Sequence, residues 1–224
     1  MKNDGGDGLP NYDVFGERYQ LPLMDIASRT KVKILIESTV LFAKSGYSTV
    51  SIKDIARAIG IKPASVYNHF PSKEALWDAV MEHAVELYLL YLERLAQKAA
   101  AAASFAEALE ISMMEPRKMS NDFTCYAFSL MRTEQFRNEK AWDKYNQVFL
   151  RYSLDFFTGV FAKHLDDGSG ARFDAGTVAT IIMNSVLMGI DVQVQKLLGR
   201  KIPYEPSEML VKLQEFLLLA VAGA

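Results

Sequence analysis

From Ser28 onward the apolar residues recur at helical spacing, with Val32, Leu35, Ile36, Thr39, Phe42 and Ala43 three or four positions apart. Gly46 follows, so the pattern predicts a helix of about four turns that a glycine stops. A second, shorter run of Ile52, Ile55, Ala56 and Ile59 begins after Ser51, which suits an N-cap, with Asp54 placed near the orphan amides and the positive helix end. Gly60 ends it, and after Ile61 and Lys62 comes Pro63, whose missing N–H is no loss in a first helical turn. A third short helix is therefore predicted from Pro63 to His69 or Phe70. Pro71 blocks its continuation and Ser72 can cap a fourth.

Beyond Ser72 the chain reads as helix after helix: 73 to 98, 104 to 115, 120 to 136, 139 to 164, 174 to 199 and 206 to 222. Breaks are expected at Pro116, near Asn138, in the Asp-Asp-Gly-Ser-Gly stretch 166 to 170, and at Pro203 to Pro206. Residues 1 to 27 carry four glycines in their first 16 positions and show no sustained periodicity, so they read as a mobile arm. The expected fold class is all-α, with an N-terminal three-helix helix-turn-helix domain followed by a helical bundle. The expected division is an arm at 1–27, a helix-turn-helix domain at 28–74 and an effector-binding and dimerisation domain at 75–224.

Two short helices joined by a tight glycine turn, directly after a longer helix, predict a helix-turn-helix whose second short helix enters the major groove. Ile52, Ile55, Ile59, Ile61 and Val66 would hold the crossing angle and leave the other face of Pro63 to His69 open. Ala64 and Ser65 permit close approach to base edges, and Tyr67 can meet a thymine methyl or a phosphate. Tyr67 and His69 could instead pack at the junction with the fourth helix. Lys73 taken alone is an ordinary surface lysine, and Phe70 reads as an apolar anchor.

Charge sharpens this picture. Residues 28 to 80 hold eight Lys/Arg against four Asp/Glu, a net of +4, while the rest of the chain sums to −6. A basic segment before an acidic body suits a polyanion-binding module attached to a domain with other work.

The string Gly46-Tyr47, Ser51-Ile52, Asp54-Ile55-Ala56, Ala58, Gly60-Ile61, Ser65-Val66-Tyr67, His69-Phe70 and Lys73 with Leu76 resembles the DNA-binding domain of the TetR family of regulators. The resemblance spans residues 30 to 77. It implies recognition-helix contacts from Lys62, Pro63, Ala64, Ser65, Tyr67, Asn68 and His69, phosphate contacts from Ser51 and from Lys73 with its helix N-terminus, a homodimer, and repression released by an effector. Two positions depart from the family pattern. Val50 stands where many relatives carry Thr, and Lys62 replaces a frequent Ser/Thr cap, which puts one phosphate contact and one cap in doubt.

Residues 120 to 160 are dense in aromatic rings, with methionines just before. Most of these are expected to be core, yet such side chains also line adaptable apolar pockets. Met113, Phe123, Tyr126, Met131, Trp142, Tyr145, Phe149 and Tyr152 are the candidate lining for a small, largely apolar effector. Helices 174 to 199 and 206 to 222 mix apolar with small residues and suit a four-helix dimer interface, intramolecular core being the other reading.

The nucleophile-elbow, phosphate-loop, dinucleotide and His-Glu-x-x-His patterns are all missing from the sequence, and His69, His83 and His164 are scattered. The expectation is no enzyme, no cofactor and no metal. Apolar runs such as Ile181 to Ile190 fall short of the roughly 20 residues of a membrane span, so no membrane partner is expected. The polar N-terminus and the lone Cys125 point to a cytoplasmic protein. The expected partners are a double-stranded operator, a second copy and a small effector. The alternative is an apolar-ligand carrier whose helix-turn-helix is only structural.

Overall fold

The structure, a computed structural model, describes residues 12–14, 17–19, 26–118, 122–165, 173–203 and 206–221. Among these the fold is all-α, with one short hairpin ahead of the first helix. Strands β1 (Tyr12–Val14) and β2 (Glu17–Tyr19) pair antiparallel, Tyr12 opposite Tyr19 and Val14 opposite Glu17. The sequence reading gave this arm no structure, because three-residue strands are too short for alternation to register. The rest of the arm up to residue 25, the helix start expected at 120 and the break expected at 166–170 lie outside the described residues.

Helix α1 (Ile26–Ser45) buries Ile34, Ser38, Thr39 and Phe42. The two buried hydroxyls are satisfied within the helix, Ser38 Oγ donating to Ile34 O at 2.6 Å and Thr39 Oγ1 to Leu35 O at 2.8 Å. Gly46 ends it at φ +83°, a conformation that costs a residue with a Cβ about 1–2 kcal/mol. Helices α2 (Ile52–Ala58) and α3 (Pro63–Tyr67) follow. Ser72 then caps α4 (Lys73–Ala100) by accepting the Ala75 N–H at 3.0 Å.

At 28 residues α4 is about 42 Å long and runs from the small N-terminal helices into the bundle. Its buried residues, from Leu76 and Trp77 through Tyr88 and Tyr91 to Ala99, return every three or four positions, which keeps one stripe inward for the whole length. Against it pack α5 (Phe105–Lys118), α6 (Asp122–Glu134) and α8 (Ser153–Ala162); α9 (Ala175–Leu197) packs on those three, with α10 (Pro206–Val221) against α5 and α9.

The segment expected as one helix over 139 to 164 has a different internal geometry. It is α7 (Glu139–Lys144), a π-helical stretch from Tyr145 to Tyr152, then α8. The wider turn of the π stretch brings Ser153 Oγ to Val148 O, five residues back, at 3.0 Å. It also turns Tyr145 and Phe149 inward together. Phe149 stacks on Tyr88 of α4 (centroids 3.9 Å apart, planes 11° apart) and on Tyr145 (5.4 Å, 10°), with Phe128 edge-on at 5.9 Å. Tyr88 and Ser153 share a buried hydroxyl–hydroxyl bond of 2.8 Å.

Helix α9 corrects the membrane count made on sequence. Its 23 residues have the length and apolar composition of a span, because the helix continues well past Ile181–Ile190 on both sides. Its apolar face packs on α8, α6 and α5, and Asp191 pairs across to Arg132 of α6, whose Nη1 also donates to Leu187 O at 3.1 Å. These contacts give the apolar residues a protein neighbour.

Two outcomes follow. In chemical denaturation Phe149→Ala costs about 3–5 kcal/mol, while Trp142→Ala, at a residue 43% exposed, costs well under about 1 kcal/mol. Burial holds the largely buried His83 below its ordinary pKa, partly offset by Glu86, with the Phe123 ring as its other neighbour. The depressed folded value means stability is complete above the unfolded value of about 6.5 and falls as acidification passes toward the folded value. His83→Gln flattens that fall in denaturation midpoints recorded between about pH 7 and pH 5.

Candidate nucleic-acid interface

The helix-turn-helix is held from beneath by Val50, Ile52, Ile55, Ala56, Val66 and Phe70, all buried. The turn is closed by the Ile61 N–H donating to Ala56 O at 2.9 Å across Gly60, whose φ is +73°. With Val66 and Phe70 inward, the opposite face of α3 is left open. Lys62, Pro63, Ala64 and Asn68 are exposed, Tyr67 is 51% exposed, and Ser65 and His69 are half-buried. The packing alternative thus fails for Tyr67, fits Phe70 fully, and holds in part for His69.

Lys62 is the N-cap of α3 and makes no side-chain capping bond, as its replacement of a hydroxyl residue leads one to expect. Val50 is packed into the core, which puts no hydroxyl on the surface there.

Ser51 makes a full capping box. Its Oγ accepts from the Asp54 N–H at 3.2 Å and donates to Asp54 Oδ2 at 2.5 Å, and Asp54 Oδ2 accepts the Ser51 N–H at 3.0 Å. These bonds from Ser51, then the nearby Arg57, hold the exposed Asp54 carboxyl below its usual range. A phosphate reaching Ser51 must therefore compete with Asp54 for its hydroxyl hydrogen.

Lys73 opens α4, and its Nζ lies 4.3 Å from the centroid of the Tyr47 ring. Tyr47 is set in turn by Trp77 at 4.8 Å and Phe42 at 5.4 Å. Partial burial lowers the Lys73 pKa. The sequence reading noted Tyr47 only as part of a motif; its role as the seat of Lys73 could be suspected only by knowing that the turn after α1 folds back onto the start of α4. The same holds for Lys31 over Phe70 (5.7 Å) and Lys44 over Tyr126 (5.2 Å).

The candidate effector residues divide. Met113, Phe123, Tyr126, Met131, Tyr145 and Phe149 are buried, and Tyr145 and Phe149 are stacked together. Trp142 and Tyr152 are 43% and 51% exposed, on the outside of α7 and of the π stretch. Tyr126, with Cys125 and Val194, forms a small cluster against Val40 and Ala43 of α1, so it joins the helix-turn-helix unit to the bundle. A half-open cavity of about 440 Å³ lies elsewhere, along the C-terminal half of α4 and the end of α5, and none of the eight contributes to its wall.

Ser51→Ala removes both hydrogen bonds of the Ser51 hydroxyl, leaves the backbone N–H of residue 51 on Asp54, and lowers stability by about 1 kcal/mol, read from the denaturation midpoint.

Residues 34–80 match the family described as bacterial regulatory proteins, tetR family. Over 64 residues the chain is 31% identical to the IcaR negative transcriptional regulator of the biofilm operon in Staphylococcus epidermidis, a match covering 29% of this chain and 35% of that protein. The IcaR of Staphylococcus aureus is 40% identical over 48 residues, 21% of this chain and 26% of its own length. The chain thus matches about a third or less of the length of these curated relatives. Three solved structures share the fold over most of the chain. A transcriptional regulator of Saccharomonospora viridis in complex with choline aligns with a TM-score of 0.64 at 23% identity, covering 87% of this chain and 98% of that one. A TetR-family regulator of Mesorhizobium loti gives 0.63 at 15%, covering 87% and 96%. The regulator FadR of Bacillus subtilis in complex with stearoyl-CoA gives 0.58 at 17%, covering 86% and 98%. Matched in sequence over 34–80 and folded there as an open-faced helix-turn-helix, this N-terminal segment is similar to the DNA-binding domain of the TetR family of bacterial regulatory proteins.

Proposed function

We propose that this regulator is a cytoplasmic, ligand-responsive repressor that binds a palindromic operator as a homodimer and is released by a small, largely apolar effector. The observation that carries the reading is the exposed face of α3, with Ala64, Tyr67 and Asn68 outward on a fully buried base of Val66 and Phe70. Lys62, Pro63, Ser65 and His69 would complete the groove contact, with Ser51 and Lys73 on phosphates. Repression is favoured by the likeness to IcaR, itself a negative regulator.

Residues 28–74 would form the DNA-binding unit and 75–224 the sensing and dimerising one, with α4 crossing the boundary. A second copy would dock on α9 and α10. Met209, Phe216 and Leu219 of α10 are exposed apolar side chains seven and three positions apart on one helix face, a pattern suited to burial against their own symmetry mates. Small-molecule control draws support from the neighbours solved with choline and with stearoyl-CoA. An effector acts only through a difference in affinity between the DNA-competent and DNA-incompetent arrangements. The contact of α1 with α6 and α9 is a route by which a body rearrangement would tilt the heads. The rival reading, an apolar-ligand carrier with a merely structural helix-turn-helix, does not call for an exposed recognition face.

The test is selection of duplex fragments from a random pool, then anisotropy titrations on the enriched sequence. Tyr67→Ala and Lys73→Ala each weaken binding by about 1–3 kcal/mol, and loss of the Lys73 phosphate contact reduces the salt slope by about 0.9 per contact. Unfolding midpoints stay within about 0.5 kcal/mol of the parent. Equal affinity for selected and random DNA leaves the carrier reading standing, and parental affinity in both variants removes these two residues from the interface.

A further inference from the structure

Lys73 has two carboxylates for neighbours. Glu74 follows it in the first turn of α4 and Asp78 lies one turn further on, the four-residue interval that puts both acids on one face of the helix. That face lies near Tyr47, whose hydroxyl is held above its ordinary pKa by burial first and then by Glu74 and Asp78. Tyr47 is also the seat of Lys73, with the ammonium over its ring. Two acids and the ammonium thus share one aromatic neighbour, at the place where a phosphate contact is proposed.

The cation that answers these acids comes from far along the chain. Lys140, in the first turn of α7, lies 3.3 Å from Asp78 Oδ2 and 3.6 Å from Glu74 Oε1, bridging the two carboxylates. The pairing raises the Lys140 pKa, Asp78 contributing more than Glu74. All three side chains are at least 40% exposed, so the bridge adds little to stability. Its consequence is electrostatic. A carboxylate left unpaired beside Tyr47 attracts the Lys73 ammonium in competition with a phosphate and repels the phosphate itself, both effects falling off over a Debye length of about 8–10 Å.

We propose that Lys140 is a positioning residue for DNA binding: by occupying Glu74 and Asp78 it leaves Lys73 free for a phosphate. The inference rests on the DNA-binding reading above. It goes beyond that reading in giving α7, which packs on α6 and lies outside the matched segment 34–80, a part in setting DNA affinity.

Anisotropy titrations of the full chain use the duplex enriched from the random pool, at about 50 mM and about 200 mM salt. Lys140→Gln weakens binding about three- to tenfold at the lower salt and by a smaller factor at the higher, while Lys140→Arg, which keeps the charge, stays within about twofold of the parent. Glu74→Gln combined with Asp78→Asn binds at least as tightly as the parent, and adding Lys140→Gln to that pair changes affinity by less than about twofold. A bridge that merely held α7 on α4 is broken equally from either side, so weaker binding in the protein lacking both acids overturns the proposal. A Lys140→Gln loss of the same size with and without the two acids overturns it too, since Lys140 is then itself a phosphate contact, as does parental affinity in Lys140→Gln. A parent that binds no duplex fails the DNA-binding reading and this inference with it; a parent that binds while Lys140→Gln is indifferent fails this inference alone.

Discussion

Everything in this chain is referred to one long apolar stripe, the inward face of α4. Leu76 and Trp77 at its start pack with the helix-turn-helix unit, Tyr88 and Tyr91 in its middle meet the aromatic stack, and Leu92, Leu95 and Ala99 complete the bundle side. Because the hydrophobic effect does not distinguish one neighbour from another, a single amphipathic helix can serve as core for both parts. Its rigidity ties the position of Lys73 to the packing of the bundle some tens of ångströms away.

At the DNA-facing end, packing and recognition divide one set of residues by side. The apolar positions of α2 and α3 fix an angle, and the polar or small positions opposite are left to the solvent. Lys73 belongs to neither group cleanly, since it carries a charge yet is seated on the Tyr47 ring. The ring can hold the ammonium without neutralising it, which an acidic partner would do. Glu74 and Asp78, one and five positions further along α4, are instead engaged by Lys140 of α7, which keeps their charge occupied by another cation.

The helix-turn-helix was legible almost to the residue because its signals are local: Ser51 and Ser72 as caps, Gly46 and Gly60 at positive φ, and Pro63 at a first turn. The bundle was legible only as a succession of helices. A π turn between Tyr145 and Tyr152 leaves no mark in a search for a 3.6-residue period, so which aromatic rings turn inward there could not be read. Trp142 and Tyr152 were grouped with Tyr145 and Phe149 on composition, and the structure separates them into outer and inner faces. The charged cavity escaped notice for a related reason: Lys98 and Glu115 are 17 positions apart, and only the packing of α5 on α4 brings them together.

The brevity of α3 has a last consequence. Five residues, with no side-chain cap at Lys62, are far too few to be a helix on their own, so the shape it offers to a groove is borrowed from Val66 and Phe70 below. On the DNA-binding reading proposed above, interior substitutions at those two positions would therefore alter which base sequences the protein prefers while leaving every exposed α3 side chain in place. Genetic screens for altered sequence preference in this protein should return hidden residues alongside the visible ones.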